Sequence, residues 1–281
     1  MFQKSHCSPV NNESIISCIP DELLGEIYTI LYKKGPPSSK IKIHKSISKK
    51  LSGKCKDELC WTTIHEIEKG LTPTEYDRLL DSFRPLMPDN WGAGKSSWLN
   101  NKNIDDVMEQ YSKKFQRFKY CGAIPIDYNV KTEHGCVNEY LCKLNVSKTM
   151  EDYDKLGIVF NTDPHDKSGE HWFSVLVDFK GNYDDKIPSI FVYDSVGIKK
   201  KLPPKIVELV NDISGQFNRL HNQVMNLIYN DIDHQRGNTE CGIFSLYFLI
   251  QMLENNSLKD YLLLNPTDKD MKEYRNHFFI K

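Results

Sequence analysis

Between residues 21 and 34 the apolar positions recur at helical spacing in DELLGEIYTILYKK, with Asp21 and Glu22 at the front and Lys33 and Lys34 at the end. Acids in a first turn and cations in a last turn suit the helix dipole, so the pattern predicts a helix that Gly35-Pro36-Pro37 stops. Helical spacing returns over about 38–52 and 73–83, and the first region reads as small and helical. The breaker-rich stretch RPLMPDNWGAGKSS at 84–97 places a boundary near residue 90. Beyond it the pattern predicts a helix over Asn103–Tyr120, with Asn103 as its cap. Residues 156–161 (LGIVFN), 171–179 (HWFSVLVDF) and 189–194 (SIFVYD) are rich in Val, Ile and Phe and read as strands. Pro203 or Pro204 opens a helix to about His221, and 224–230 reads as a further strand. Cys241 to Leu253 (CGIFSLYFLIQML) reads as a buried helix. The expected class is α+β: a small mixed sheet flanked by helices over residues 91–281, behind a helical arm over 1–90.

Composition narrows the class. Of 281 residues, 39% are hydrophobic and 27% charged, the balance of a globular protein with a sizeable core. A net charge of -1 says little about partners, but its distribution says more. From Lys33 to Cys60 there are nine lysines before the first acid, Asp57. That run reads either as a contact for nucleic acid or another polyanion, or as a solvated lysine face. The eight cysteines are irregularly spaced for a disulfide scaffold. No apolar run reaches transmembrane length and the N-terminus has no signal-like apolar region, so a reducing, intracellular setting without a membrane partner is expected. Gly92-Ala93-Gly94-Lys95-Ser96 imitates a phosphate-binding loop, but Asp89 stands where its first glycine belongs. Cys55, Cys60 and His65 lack a fourth ligand at zinc spacing, so no metal site is expected.

Three segments carry chemistry. In Gln235-Arg236-Gly237-Asn238-Thr239-Glu240-Cys241-Gly242 a cysteine meets the first turn of a helix, where free backbone N–H groups and the dipole favour thiolate. Gly242 leaves space beside the sulfur. Gln235, six residues upstream across a turn, offers an amide N–H to an oxyanion. His171 starts an apolar strand, a fixed but open place for a general base. Asp194 ends the next strand before a turn with Gly197, and neighbouring strands bring it beside His171 to orient the ring. Taken singly, each has a plain structural reading: a buried thiol, a solvated histidine, a turn-starting aspartate.

Together, His171-Trp172, Asp194, Gln235 and Cys241-Gly242 resemble the adenovirus-protease and SUMO-protease clan of cysteine proteases. Ser97-Trp98-Leu99-Asn100-Asn101-Lys102-Asn103-Ile104 is similar to the Trp-Leu-Asn-Asp-x-x-Ile element that opens the SUMO-protease catalytic domain, with Asn101 in place of its aspartate. Within the clan the chain resembles the polyprotein-processing proteases of African swine fever virus and related large DNA viruses. The likeness lies in Cys55-x4-Cys60, Gly169-Glu170-His171-Trp172, His234-Gln235-Arg236, Thr239-Glu240-Cys241-Gly242 and the tail MKEYRNHFF, and Asp194 stands where that viral enzyme carries Asn. The resemblance implies a papain-like core with a helical arm, a His171-Asp194-Cys241 triad with Gln235 at the oxyanion, and no cofactor. It also implies a substrate slot formed by Trp98, Trp172, Asn100 and Gly242. The implied reaction is cleavage of structural precursors after Gly-Gly or Gly-Gly-Xaa during maturation, in the virion and the host cytoplasm. Removal of a ubiquitin-like modifier from host conjugates and acyl transfer to a protein are the rival outcomes of the same chemistry.

Overall fold

The structure, a computed structural model, describes residues 4–11, 16–88, 91, 97–183, 186–199, 201–254 and 257–280. The imitation phosphate loop at 92–96 and residues 89 and 90 of the expected boundary lie outside them. The chain divides into two compact units, residues 1–87 with 277–281, and residues 88–276.

The first unit is built from α1 (Asp21–Tyr32), α2 (Lys40–Leu51), α3 (His65–Gly70) and α4 (Pro73–Leu80). Lys33 closes α1 in the left-handed conformation. Thr72 and Glu75 form a reciprocal capping box on α4, with Pro73 at the first helical position. The helices bury Leu24, Ile27, Ile47, Trp61, Ile67 and Leu79 in one core. The sequence places the chain's tail with the catalytic region, but residues from His277 onward count with this unit. Ile280 lies beside Leu86 in a parallel bridge, and Met87 donates its N–H to the Ile280 carbonyl at 2.7 Å.

The second unit runs α5 (Asn101–Lys114), β1 (Phe118–Pro125), β2 (Lys131–Thr132), β3 (Gly135–Cys136), α6 (Glu139–Cys142), α7 (Val146–Asp152), β4 (Lys155–Asn161), β5 (Trp172–Asp178) and β6 (Ser189–Tyr193). It continues through α8 (Pro204–His221), β7 (Asn226–Tyr229), α9 (Cys241–Leu253) and α10 (Leu258–Leu264) into α11 (Asp268–Phe278). Five strands form a mixed sheet in the order β1-β4-β5-β6-β7, with the β4–β5 and β5–β6 pairs antiparallel and the two outer pairs parallel. The expected α+β class with a small mixed sheet is what the chain adopts.

Strands β4, β5 and β6 are buried along their whole length, which is why their sequences read as near-continuous apolar runs. Phe173, Val175 and Val177 of β5 pack in one cluster with Ile206, Leu209, Ile213 and Phe217 of α8. The intervening Ser174 hydroxyl donates to the Ser245 carbonyl of α9 at 3.1 Å, so the alternate positions face α9. Helix α9 is thus enclosed on all sides, as its sequence predicts.

Three expectations change. The helix over 103–120 ends at Lys114, and Phe118–Tyr120 open β1. The cap of that helix is Asn100, whose side chain accepts the Asn103 N–H at 2.9 Å while Asn103 returns the bond to the Asn100 N–H at 3.1 Å. The cysteines are not all free thiols: Cys7–Cys18, Cys55–Cys60 and Cys136–Cys142 form disulfides, and Cys121 and Cys241 are free. Each pair closes a short loop within one unit, so no scaffold-like spacing is needed. Among the described residues no helix is long and apolar enough to cross a membrane.

Candidate active site

The antiparallel register of β5 and β6, with Ser174 opposite Tyr193, brings their neighbours His171 and Asp194 to one end of the sheet. His171 Nε2 lies 2.7 Å from Asp194 Oδ1. The same oxygen accepts the Val196 N–H at 3.1 Å. The Asp194 backbone is held by Asn230, which accepts its N–H at 2.9 Å and donates to its carbonyl at 2.8 Å. A second bond from Asn230 Nδ2 to the Ile232 carbonyl, at 2.9 Å, fixes that amide in turn.

Cys241 is the first residue of α9 and is 2% exposed. Its sulfur acts on the His171 ring, where it favours the imidazolium, and with Nε2 engaged by Asp194 the other ring nitrogen is the one left to serve it. Burial works against the imidazolium, but the hydrogen bonds to Asp194 and Cys241 and their charges outweigh it and raise the His171 pKa to about 10. The ring is therefore held as a cation between a carboxylate and a sulfur. The other free thiol, Cys121, is pushed up to about 12 by burial, which withholds its thiolate.

Gln235 is buried, and both ends of its amide are engaged: Oε1 accepts from the Ser195 hydroxyl at 2.6 Å and Nε2 donates to the Gly237 carbonyl at 3.1 Å. One N–H of that nitrogen remains for an incoming oxygen. The loop between Gln235 and Cys241 is anchored from α11. Asp268 accepts the Arg236 and Gly237 N–H groups at 2.8 and 2.9 Å. Arg275 donates to Glu240 at 2.7 Å and to the Thr239 carbonyl at 3.0 Å. Glu240 and Arg275 are 1% and 6% exposed, so neither charge has water to fall back on. Glu240→Ala should cost about 3–5 kcal/mol by leaving Arg275 buried and unpaired, read as a lower urea midpoint with an unchanged slope.

A cleft of about 450 Å³ runs up to the histidine strand, lined by Trp98, Leu99, Asn100, Asn161, Gly169 and Trp172 among others. The Trp172 indole N–H donates to the Leu99 carbonyl at 2.9 Å, and the Trp98 indole N–H donates to the Asn238 carbonyl at 2.5 Å. Trp172 is 8% exposed and Trp98 is 47% exposed. Gly169 bounds the cleft at φ +81°, where a Cβ would lie 2.5 Å from the Asn161 amide nitrogen. At Gly242 a Cβ would meet Leu99 side-chain atoms at 3.0 Å, so its bareness admits Leu99. Asn100 does line the cleft, but its side-chain oxygen is engaged as the α5 cap.

His171, Asp194 and Cys241 are thus brought together, with Gln235 on the loop that leads to Cys241. Sequence reasoning misses the supporting residues Ser195, Asn230, Glu240, Asp268 and Arg275. Ser195 adjoins Asp194 and Glu240 adjoins Cys241, but adjacency alone does not say where a side chain turns.

The family model described as YopJ Serine/Threonine acetyltransferase matches residues 101–270. The SUMO-1 cysteine protease of African swine fever virus (isolate Warthog/Namibia/Wart80/1980) is 27% identical over 258 residues, covering 85% of this chain and 89% of that protein. A putative thiol protease of Acanthamoeba polyphaga mimivirus is 26% identical over 229 residues, covering 79% of this chain and 68% of that protein. A crystal structure of the African swine fever virus protease superposes with a TM-score of 0.72 at 22% identity, over 99% of this chain and 97% of that one. The sheet, the central helix and the helical first unit are therefore a shared fold. The chain belongs to the family described as YopJ serine/threonine acetyltransferase, within the SUMO-protease group of cysteine proteases. It is a thiol protease whose relatives here are viral.

Proposed function

We propose that this protease is an endopeptidase that cuts viral structural polyprotein precursors after Gly-Gly or Gly-Gly-Xaa during virion maturation, acting in the virion and the host cytoplasm. The observation that carries the catalytic part is the His171 ring bonded to Asp194 at 2.7 Å, with Cys241 at the start of α9 among the groups that favour its cationic form. The Cys241 thiolate attacks the scissile carbonyl, and the new oxyanion takes an N–H of Gln235 and the backbone N–H of Cys241. Protonated His171 gives its proton to the leaving amine, whose C–N bond breaks to leave a thioester. Neutral His171 then takes a proton from water, the hydroxide adds to the thioester, and the thiolate departs with release of the acid. No external cofactor enters these steps.

Specificity follows from the two anchored indoles. Trp98 and Trp172 line one cleft, and flat rings facing a peptide leave room for glycine but not for a Cβ. The extended substrate is gripped through its main chain. Trp172→Ala should broaden the tolerated residue while lowering turnover. The check is a peptide set in which each glycine is replaced by alanine; equal cleavage of Gly-Gly and Ala-Ala peptides by the natural chain would end the slot reading.

The family match favours one other outcome, transfer of the acyl group from Cys241 to a protein hydroxyl or amine in place of water. The machinery is the same up to the thioester, so mass spectrometry of the products separates the two. Removal of a ubiquitin-like modifier from host conjugates also shares this machinery and differs in the surface that holds the substrate.

The first unit, in this reading, is an arm that engages substrate. Lys42, Lys45 and Lys49 are exposed on α2 at spacings of three and four residues and form one basic stripe. Binding of the full chain to a polyanion such as heparin should weaken steeply with salt, and reversing these three lysines to glutamate should abolish it. Salt-independent retention would leave the stripe as a solvated face.

A further inference from the structure

We propose that Ser195 is a positioning residue that sets the working orientation of the Gln235 amide, an inference that rests on the oxyanion role given to Gln235 above. Ser195 directly follows Asp194 and is 1% exposed. Its hydroxyl lies 2.6 Å from Gln235 Oε1, while Gln235 Nε2 lies 3.1 Å from the Gly237 carbonyl. A carbonyl oxygen can only accept, so the nitrogen of the amide must be the atom on the Gly237 side. The amide oxygen then faces Ser195, and the hydroxyl must donate to it. Both ends of the amide are fixed by this logic, and the second N–H of Nε2 is left pointing in a single direction.

The backbone of Ser195 works toward the same end. Its carbonyl accepts the N–H groups of both His234 and Gln235, each at 2.9 Å. Further along this seam, the Tyr193 hydroxyl meets His234 Nδ1 at 2.9 Å. Residues 193–195, which carry Asp194, are therefore zipped to residues 234–235, which carry Gln235. The group that orients the base and the donor that awaits the oxyanion share one seam. An oxyanion donor is effective only when it is preorganised, because a donor that must first rotate gives back in the transition state what it offers. Without the Ser195 hydroxyl, Oε1 loses its donor and the amide is tethered at Gly237 alone.

The test uses the full chain and a Gly-Gly-Xaa peptide, with Ser195→Ala, Ser195→Thr, Gln235→Ala and the Ser195→Ala/Gln235→Ala double variant. Ser195→Ala should lower kcat by roughly tenfold or more with KM unchanged, as expected when a reacting partner is misplaced. Ser195→Thr, which keeps the hydroxyl, should recover most of the rate. Alkylation of Cys241 should proceed at the natural rate in Ser195→Ala, since the thiol and His171 are untouched. The double variant should be no slower than Gln235→Ala, because the hydroxyl acts through the amide. Full turnover in Ser195→Ala, or losses that multiply in the double variant, would overturn the proposal. Absence of turnover in the natural chain overturns the functional reading and takes the role of Ser195 with it, so the two failures are distinct.

Discussion

Cys241→Ala is expected to lower cleavage of a Gly-Gly-Xaa peptide by about a millionfold, the scale seen when a hydrolase loses its nucleophile. The fold should survive. Cys241 is buried at the first turn of α9, where a small apolar residue keeps the helix and loses a single sulfur. The loop ahead of it is held by Asp268 and Arg275, which do not depend on the sulfur. Removal of the thiol also deprives His171 of one of the two partners that raise its pKa to about 10. The His171 titration, followed by NMR, should move down in the variant while Asp194 still holds the ring. A titration unmoved by loss of the sulfur would mean that the two groups are not coupled.

His171→Ala should remove nearly as much activity, since the ring acts first as acid toward the leaving amine and then as base toward water. Asp194→Asn should retain more, because an amide oxygen can still orient the ring through the Nε2 proton. The sign of the pH dependence follows from the raised pKa. A histidine stabilised as a cation contributes its full stability below its unfolded value of about 6.5. That contribution is lost as pH rises from there through about 10. Activity should decline over the upper end of this window as the proton meant for the leaving amine is lost. Unfolding and turnover measured across this range check both limbs, and Asp194→Asn should bring the alkaline decline to lower pH.

Most of the site is legible in the sequence because its parts sit at element boundaries. Helices α8 and α9 begin where Pro204 and the Cys241 apolar run place them. The strands that carry His171 and Asp194 are central and buried on both faces, so their composition reports them directly. Strand β1 is hidden because it is an edge strand whose burial does not alternate cleanly, and a bulge at Gly122, with φ +112°, breaks its period of two. The contact that explains Gly242 joins it to Leu99, far away in the chain, and no local pattern encodes it. The same holds for Ile280 beside Leu86, which returns the tail to the first unit. The three disulfides escape a sequence reading because short local loops have no scaffold-like spacing.

The most direct measurement is mass spectrometry of the natural chain and of Cys241→Ala after incubation with a Gly-Gly-Xaa peptide and, separately, with an alkylating reagent. The account predicts hydrolysis at the glycines by the natural chain, none by the variant, and alkylation of Cys241 ahead of Cys121. Equal hydrolysis by both chains, or acyl transfer to an added acceptor with no hydrolysed product, would contradict it.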